Sequence, residues 1–465
     1  MKQSEELYLA ENAVQLGTQD AEFIPYTIQE IELSQPIPAL SAPNQRRILL
    51  HIRLHGVPIG RIELQPFEKE LTTEQVAGLI WQKLSKEINN HLFLDHLSER
   101  TELNSMGLTA EVQPGCLRDR TKVLANAPKV SVLVATHNRP SVLAKCLNSL
   151  LSMDYPDFEI IVVDNAPADR ATEDLIKRNY TGAQNIRYVR EIFPGLARAH
   201  NRGLEVVQTK YVAITDDDVL VDRYWLVEIV KAFMQDSNIG CVTGTIFPAE
   251  IQTRSQYWME HAAGFTKGYV PRIYNLQDHR PDHPLFPYAA GMFGSGANMA
   301  FDTSILRKMG GFDDSLGAGS IALGGDDLAS FFQVITRGFT LIYEPGAIVY
   351  HRHYREYAHL QRSAYGYGAG LTAFIMKTVV DRPVRLFDLA RRIPYGLYYA
   401  LNARSPKNSR KAADYPRELN WIERKGMAAG PILYFRSRWN TRKFRNHTRF
   451  AQAQQSWTSS EKKGG

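Results

Sequence analysis

Three consecutive carboxylates, Asp216, Asp217 and Asp218, close an apolar run that begins at Tyr211. Adjacent anions repel one another, and a turn has no use for three of them unless a cation or a donor-rich ligand offsets the repulsion. A divalent metal is the simplest such partner; a solvated acidic turn that caps the next helix is the other reading. Residues 211–214, with Val and Ile among them, read as a buried strand, so the trio falls at its C-terminal mouth, where open α/β sheets bind ligands. A second acidic pair, Asp326-Asp327, follows two glycines and precedes Leu328, Phe331, Phe332 and Ile335 on one helical face. That spacing predicts the pair at a helix N-terminus, where free N–H groups and the dipole favour a carboxylate. His351 ends the apolar run AIVY, and His353 projects two residues on.

The elements that must position these groups alternate strand and helix from Pro128 onward, the mark of an α/β layer fold. Val130–Thr136 is predicted as the first strand, followed by His137-Asn138-Arg139-Pro140 and a helix with Leu143, Cys146, Leu147 and Leu150 on one face. Glu159–Asp164 reads as the second strand and Ile186–Arg190 as the third, followed by Phe193-Pro194-Gly195 and a helix that carries Arg198. Polar residues therefore recur where strands end: Thr136, Asn138, Asp164, Asn165 and the acidic trio. Such groups facing one crevice make a nucleotide pocket.

Residues 1–125 read as a separate α+β module, with a hairpin around His55-Gly56-Val57-Pro58 and a helix over Thr73–Leu94. His51, His55, His91 and His96 fall on its amphipathic segments, where packing or solvation accounts for them. Segment 111–129, with two prolines and a glycine, reads as a linker. Residues 356–465 read as a basic helical region with a disordered tail; residues 381–465 hold 19 Lys and Arg against 6 Asp and Glu, although the whole chain carries only +6. Their interleaved cations and aromatics suit an anionic lipid surface, an acidic polymer or plain solvent.

At 465 residues the chain can bury a large core. Three widely spaced cysteines offer no disulfide framework and no zinc-type pairing. The polar N-terminus lacks the apolar core of a signal peptide, and no apolar run approaches the ~18 residues that span a bilayer. The expected location is the cytoplasm, with association at the inner face of the membrane left open.

VSVLVATHNRP, EIIVVDNA, GLARAHNRGL, TDDDV followed by D-x-x-W-L, FGSGANMAF and GGDDLASFF, in that order over residues 129–355, resemble the family 2 glycosyltransferases of GT-A fold. The resemblance implies a Rossmann-like mixed sheet flanked by helices and an inverting, metal-dependent transfer of a sugar from a UDP- or dTDP-sugar to an acceptor hydroxyl. Carried over position by position, it makes Asp327 the general base and Asp164 the nucleobase contact. Thr136, Asn138, Arg139, Asp216 and Asp217 would also bind the donor. Arg198 stands in for a cation that relatives place directly before the Asn, where this chain has His200-Asn201. Asp216, Asp218 and His351 would hold Mn2+ or Mg2+. Gly296, Asn298 and Asp326 would lie on the acceptor side, where the family's more usual Glu is Asp326. The implied acceptor is a saccharide or lipid-linked saccharide, with peripheral membrane contact through 381–465 and no nucleic acid partner. Two other classes stay open: a nucleotide-sugar-binding protein without turnover, and a sugar nucleotidyltransferase, which would want a glycine-rich cationic loop where this chain has ATHNRPS.

Overall fold

The computed structural model describes residues 23–41, 46–110 and 112–461, apart from the side chains of 263 and 444–461. The first 22 residues of the expected N-terminal module and the last four of the expected tail lie outside this range. The chain divides into two compact units that do not simply follow chain order. One comprises 1–118 with Pro248–Gly264 and Arg352–Leu360; the other comprises 119–247, Phe265–His351 and Gln361–Gly465.

The smaller unit is built on a three-stranded sheet of β1 (Tyr26–Glu32), β2 (Arg47–Leu54) and β3 (Val57–Leu64), with β1 parallel and β3 antiparallel to β2. The hairpin turns at His55-Gly56, both at positive φ (56° and 81°), the conformation a two-residue primed turn requires. Helix α1 (Thr73–Leu94) starts at a capping box between Thr72 and Gln75 and buries Val76, Ile80, Leu84, Ile88 and Leu92. These are the positions its 3.6-residue spacing predicts. Segment 111–129 is not simply a linker, because it contains α2 (Gly115–Ala125). Pro114 precedes the first turn of α2, where its missing N–H opens a helix rather than ending one.

In the larger unit β4 (Val130–Thr136), β5 (Phe158–Asn165), β6 (Ile186–Glu191) and β7 (Tyr211–Asp216) are parallel in the order β6-β5-β4-β7. Helices α3 (Pro140–Leu151), α4 (Ala171–Asn179) and α5 (Leu196–Val206) connect them. The sheet continues as a mixed one through β8 (Val219–Val221), β9 (Ile239–Pro248), β10 (Arg272–Tyr274), β11 (Asn298–Asp302) and β12 (Thr340–His351), with β11 antiparallel to β7 and β8 antiparallel to β12. Helix α6 (Trp225–Phe233) follows β8, α7 (Arg254–Ala263) belongs to the smaller unit, and α8 (Thr303–Met309) and α9 (Asp326–Thr336) frame the loop before the second acidic pair. Alternate strand residues feed two cores: Leu133, Ile161, Val163 and Ile214 enter one, and Val132, Val134, Ile160 and Val162 the other. This is the α/β mixed sheet with flanking helices, small N-terminal sheet and C-terminal helices that the residue pattern and the resemblance lead one to expect.

Beyond the sheet run α10 (Tyr357–Asp381), α11 (Arg385–Leu401) and α12 (Arg417–Glu461). The last continues through 454–461, a stretch whose composition suggested disorder but which contains neither proline nor glycine. No helix of the described residues is long and apolar enough to cross a membrane. Glycines let α10 approach its neighbours by backbone: a Cβ at Gly368 would lie 2.0 Å from Glu423 O, and one at Gly426 2.2 Å from Tyr365 O. Gly370 meets Gly324 and Gly325 in the same way, at 2.8–3.0 Å, so this helix backs the turn that launches Asp326 and Asp327. Gly370→Ala should therefore displace Asp327. The same clash should lower the unfolding midpoint, whereas Gly182→Ala, where a Cβ meets nothing within 4 Å, should leave it unchanged. Calorimetric unfolding of the two variants would show it.

Candidate functional site

Strand register aligns the polar strand ends of the larger unit. Thr136 on β4 pairs with Asp164 on β5, Ala135 pairs with Asp216 on β7, and Asp164 pairs with Arg190 on β6. The carboxylates thus lie along the C-terminal edge of four parallel strands. β8 then returns the chain so that Val219, next to Asp218, pairs with His351 at the end of β12. The result is a cluster in which Asp216, Asp218 and His351 each offer a donor atom within 4.8 Å of the others. His351 Nε2 is 3.4 Å from Asp218 Oδ1, and the His351 ring stacks on Phe265 with centroids 6.0 Å apart.

Electrostatics make this cluster costly without a cation. Burial, and then repulsion from Asp218 and Asp217, push the Asp216 carboxyl well above its ordinary range. Asp217 is fully buried and raised to about 6, again by burial first, against the opposing pull of Arg139. Thr136 Oγ1 donates to Asp217 Oδ2 (2.6 Å), Arg139 Nη2 donates to Asp217 Oδ1, and Arg139 Nη1 donates to Asp218 Oδ2 (3.1 Å). Asp218 Oδ1 accepts no hydrogen bond from the described residues. Two carboxylates and an imidazole are a donor set that suits a hard divalent ion.

Asp164 is buried at the end of β5, with Tyr188 Oη donating to Oδ2 (2.9 Å) and Oδ1 without a hydrogen-bond partner among the described residues. Burial raises its carboxyl above the ordinary value. Asn138, at φ 53°, uses Oδ1 to accept from Ala168 N (2.9 Å), so its oxygen shapes the first loop. Asn165 bridges to the following turn, donating to Phe193 O (2.8 Å) and accepting from Gly195 N (3.0 Å).

Asp326 and Asp327 open α9 from Gly325, which sits at φ 87°. Asp327 Oδ2 accepts from Gly296 N (3.0 Å) and Oδ1 from Leu328 N (2.8 Å). Gly296 lies two residues before Asn298, which pairs with Thr215 on β7. The second acidic pair is thereby tied to the strand end that carries the first, and Asp326 contributes to the repulsion felt by Asp216. Burial, then Asp327, raises Asp326 to about 7; burial also raises Asp327.

Not every expected side chain joins this group. Asn298 is fully employed inside the fold: it accepts from Trp225 Nε1 (2.8 Å) and donates to Thr245 O (2.9 Å) and Ala347 O (2.8 Å). Arg198 Nη2 donates to Thr441 Oγ1 (3.3 Å) and its guanidinium lies over the Phe193 ring. His353 belongs to the smaller unit, where it contacts Glu260 Oε2 at 3.3 Å. His200 is buried against Phe312, and burial lowers it to about 3, so it is a neutral packing residue. Asn201 anchors the loop before α9 through Phe312 N, Phe312 O and Asp314 Oδ1. That loop is packed down, with Leu316 and Ala322 buried and Gly317 N donating to Gly324 O (3.1 Å).

Lys267 went unnoticed in the sequence. Burial first, then Arg410, lowers its ammonium to about 8, and Asp327 is the anion that opposes this. It sits in an irregular stretch between α7 and β10, with no periodicity or motif to single it out.

Residues 131–310 match the family model described as Glycosyl transferase family 2, and the chain carries a domain of that family. It is 29% identical over 118 residues to the poly-beta-1,6-N-acetyl-D-glucosamine synthase of Staphylococcus epidermidis, covering 25% of this chain and 28% of that one. It is 26% identical over 251 residues to the hyaluronan synthase of Pasteurella multocida, covering 48% and 24%. The chain thus spans about a quarter of the length of these curated relatives. Among solved structures it is similar to a mannosyltransferase from Pyrobaculum calidifontis in complex with GDP-Man and Mn2+ (TM-score 0.43, 21% identity, 65% of this chain and 74% of that one).

Proposed function

We propose that this chain transfers a sugar, with inversion, from a UDP- or dTDP-sugar to a hydroxyl of a saccharide or lipid-linked saccharide acceptor, in the assembly of a cell-surface polysaccharide or glycolipid. The observation that carries this reading is the convergence of two acidic sites: Asp216, Asp218 and His351 clustered within 4.8 Å at the end of β7, and Asp327 at the start of α9, bonded by Gly296 N just before β11, the neighbour of β7. The family match and the polysaccharide synthases among the relatives support it.

In this reading Asp216, Asp218 and His351 would hold Mn2+ or Mg2+, which supplies neutralising charge to a diphosphate leaving group. Asp164 Oδ1, buried and unclaimed by the described residues, accepts the imide N–H of uracil or thymine. Arg139, already beside Asp217 and Asp218, offers its guanidinium to the diphosphate. Asp327 takes the proton of the acceptor hydroxyl. That oxygen bonds to the anomeric carbon as the carbon–diphosphate bond breaks on the opposite face, and the electron pair leaves on the diphosphate oxygen. A carboxylate raised by burial and aimed by two backbone N–H groups is a competent base for this transfer.

Thermal unfolding with a panel of nucleotide sugars tests the donor assignment. A UDP- or dTDP-sugar should raise the midpoint in the presence of Mn2+ and not in EDTA; equal shifts with chelator would overturn the metal role. The pH dependence has a definite sign. Asp326 titrates at about 7 in the folded chain, above its ordinary 3.8, so its contribution to stability is complete below ~4 and is lost as pH rises through 7. A cation bound nearby favours the ionised carboxylates and offsets that loss, so the shift produced by Mn2+ should be larger at pH 7.5 than at pH 5.

We also propose that α11 rests on an anionic lipid surface. Leu386, Ile393, Leu397 and Leu401 form an exposed stripe at helical spacing, with Phe387 and Tyr398 beside it and Arg391 exposed on the same helix. The chain should co-sediment with vesicles containing phosphatidylglycerol and be released by high salt. Removing apolar contact from the middle of the stripe, with Ile393→Ser and Leu397→Ser combined, should abolish the binding.

A further inference from the structure

The smaller unit contains a second group of metal-ligand side chains, outside the residues matched by the family model. His55 occupies the turn between β2 and β3, His91 the last turn of α1, Asp95 the C-cap of α1, and Cys116 the second position of α2. Three stretches far apart in the chain thus deliver four side chains to one point. His55 Nδ1 is 2.7 Å from Asp95 Oδ2, His91 Nε2 is 3.1 Å from it, and Cys116 Sγ is 3.0 Å from it. His91 Nε2 and His55 Nδ1 face each other at 3.3 Å, and all four donor atoms lie within 4.8 Å of one another.

We propose that His55, His91, Asp95 and Cys116 form a structural zinc site that ties the hairpin turn to α1 and the start of α2. A tetrahedral zinc ion with bonds of about 2.0–2.3 Å separates its donor atoms by roughly 3.3–3.6 Å. The observed contacts run from 2.7 to 3.3 Å, so the ligand atoms must part by up to about 0.6 Å to admit the ion. Hydrogen bonding alone is a poor account of the arrangement. It turns two imidazole nitrogens toward each other while three donors converge on a single carboxylate oxygen.

The remaining features fit a closed site. Side-chain exposure is 3% at His55, 4% at Asp95 and 11% at His91. The second carboxylate oxygen is held by Cys116 N (2.8 Å), which fixes the direction in which Oδ2 points, as outer-shell bonds do in metal centres. Gly115 makes that approach feasible, since a Cβ there would already touch Asp95 at 3.3–3.4 Å. His55 is held at φ 56°, an uncommon conformation for a non-glycine residue, and this turn conformation carries its ring toward α1. Four protein donors leave no open position, and a set of two imidazoles, one thiolate and one carboxylate suits Zn2+ rather than Mg2+ or Mn2+. Binding releases the Cys116 thiol proton to solvent, and the sulfur pair becomes the metal–sulfur bond.

The test uses the full chain with Asp218→Ala as background, so that a cation at the candidate catalytic cluster does not add to the count. Mass spectrometric metal analysis after dialysis should give one zinc per chain, and zinc should raise the unfolding midpoint. Replacing zinc by Co2+ should produce the intense visible bands of tetrahedral cobalt with a thiolate-to-cobalt charge-transfer band. In Cys116→Ser that band should vanish, and in His91→Ala the bound metal should be lost. If the variants retain zinc as tightly as the parent, the site is refuted. Should the variants fail to fold, the parent decides alone, because cobalt spectra without a thiolate band would equally refute it.

Discussion

Replacing Asp327 by Asn should reduce sugar transfer by about 100- to 10,000-fold, the range that a positioned general base contributes. Asparagine keeps the size of the side chain and can still accept from Gly296 N or Leu328 N, so the opening of α9 should survive. What it removes is the capacity to take a proton. The donor should bind as before, because the groups assigned to it lie at the ends of β4, β5 and β7. The paired measurement is transfer rate and donor affinity by calorimetry on the same preparation. Unchanged turnover would remove Asp327 from the chemistry. A binding protein without turnover would show donor affinity in both forms and transfer in neither.

Asp218→Ala should have the second large effect, and of a different kind. Asp218 reaches both Arg139 through Oδ2 and His351 through Oδ1, so its loss dismantles the cation cluster and removes one of the two carboxylates that hold the guanidinium. Metal-dependent donor stabilisation should disappear, and transfer should fall by a factor comparable to Asp327→Asn. Stability in EDTA should rise, since removing one of three neighbouring carboxylates relieves the repulsion on Asp216. A variant less stable in chelator than its parent would mean that the trio is held together by the fold rather than by a missing cation. Differential scanning calorimetry in EDTA, with and without Mn2+, separates these outcomes.

Much of this arrangement is legible before any coordinates because it rests on local pattern. Thr73–Leu94 is recognisable as a helix from its apolar spacing alone, and the strands at 130–136, 158–165 and 211–216 from short β-rich runs that end in polar residues. What the pattern could not show is how polar side chains are spent. Asn298 and Asn138 look available for ligands by position, yet tertiary bonds to Trp225 and Ala168 engage them. Segment 111–129 looked like linker because Pro and Gly weigh as breakers, whereas Pro114 stands where a helix begins. Lys267 and the group of His55, His91, Asp95 and Cys116 depend on long-range convergence. The latter has one cysteine and no short repeat of ligand spacing, so packing alone discloses it.

Whether a cation joins donor and protein at the strand ends can be read from diffraction at the manganese absorption edge, using crystals grown with Mn2+ and UDP or dTDP. The expected result is an anomalous peak at about 2.0–2.3 Å from donor atoms of Asp218 and His351, with the nucleotide base against Asp164. A manganese peak elsewhere on the larger unit, with Asp218 still paired to Arg139 and the nucleotide away from both, would contradict it.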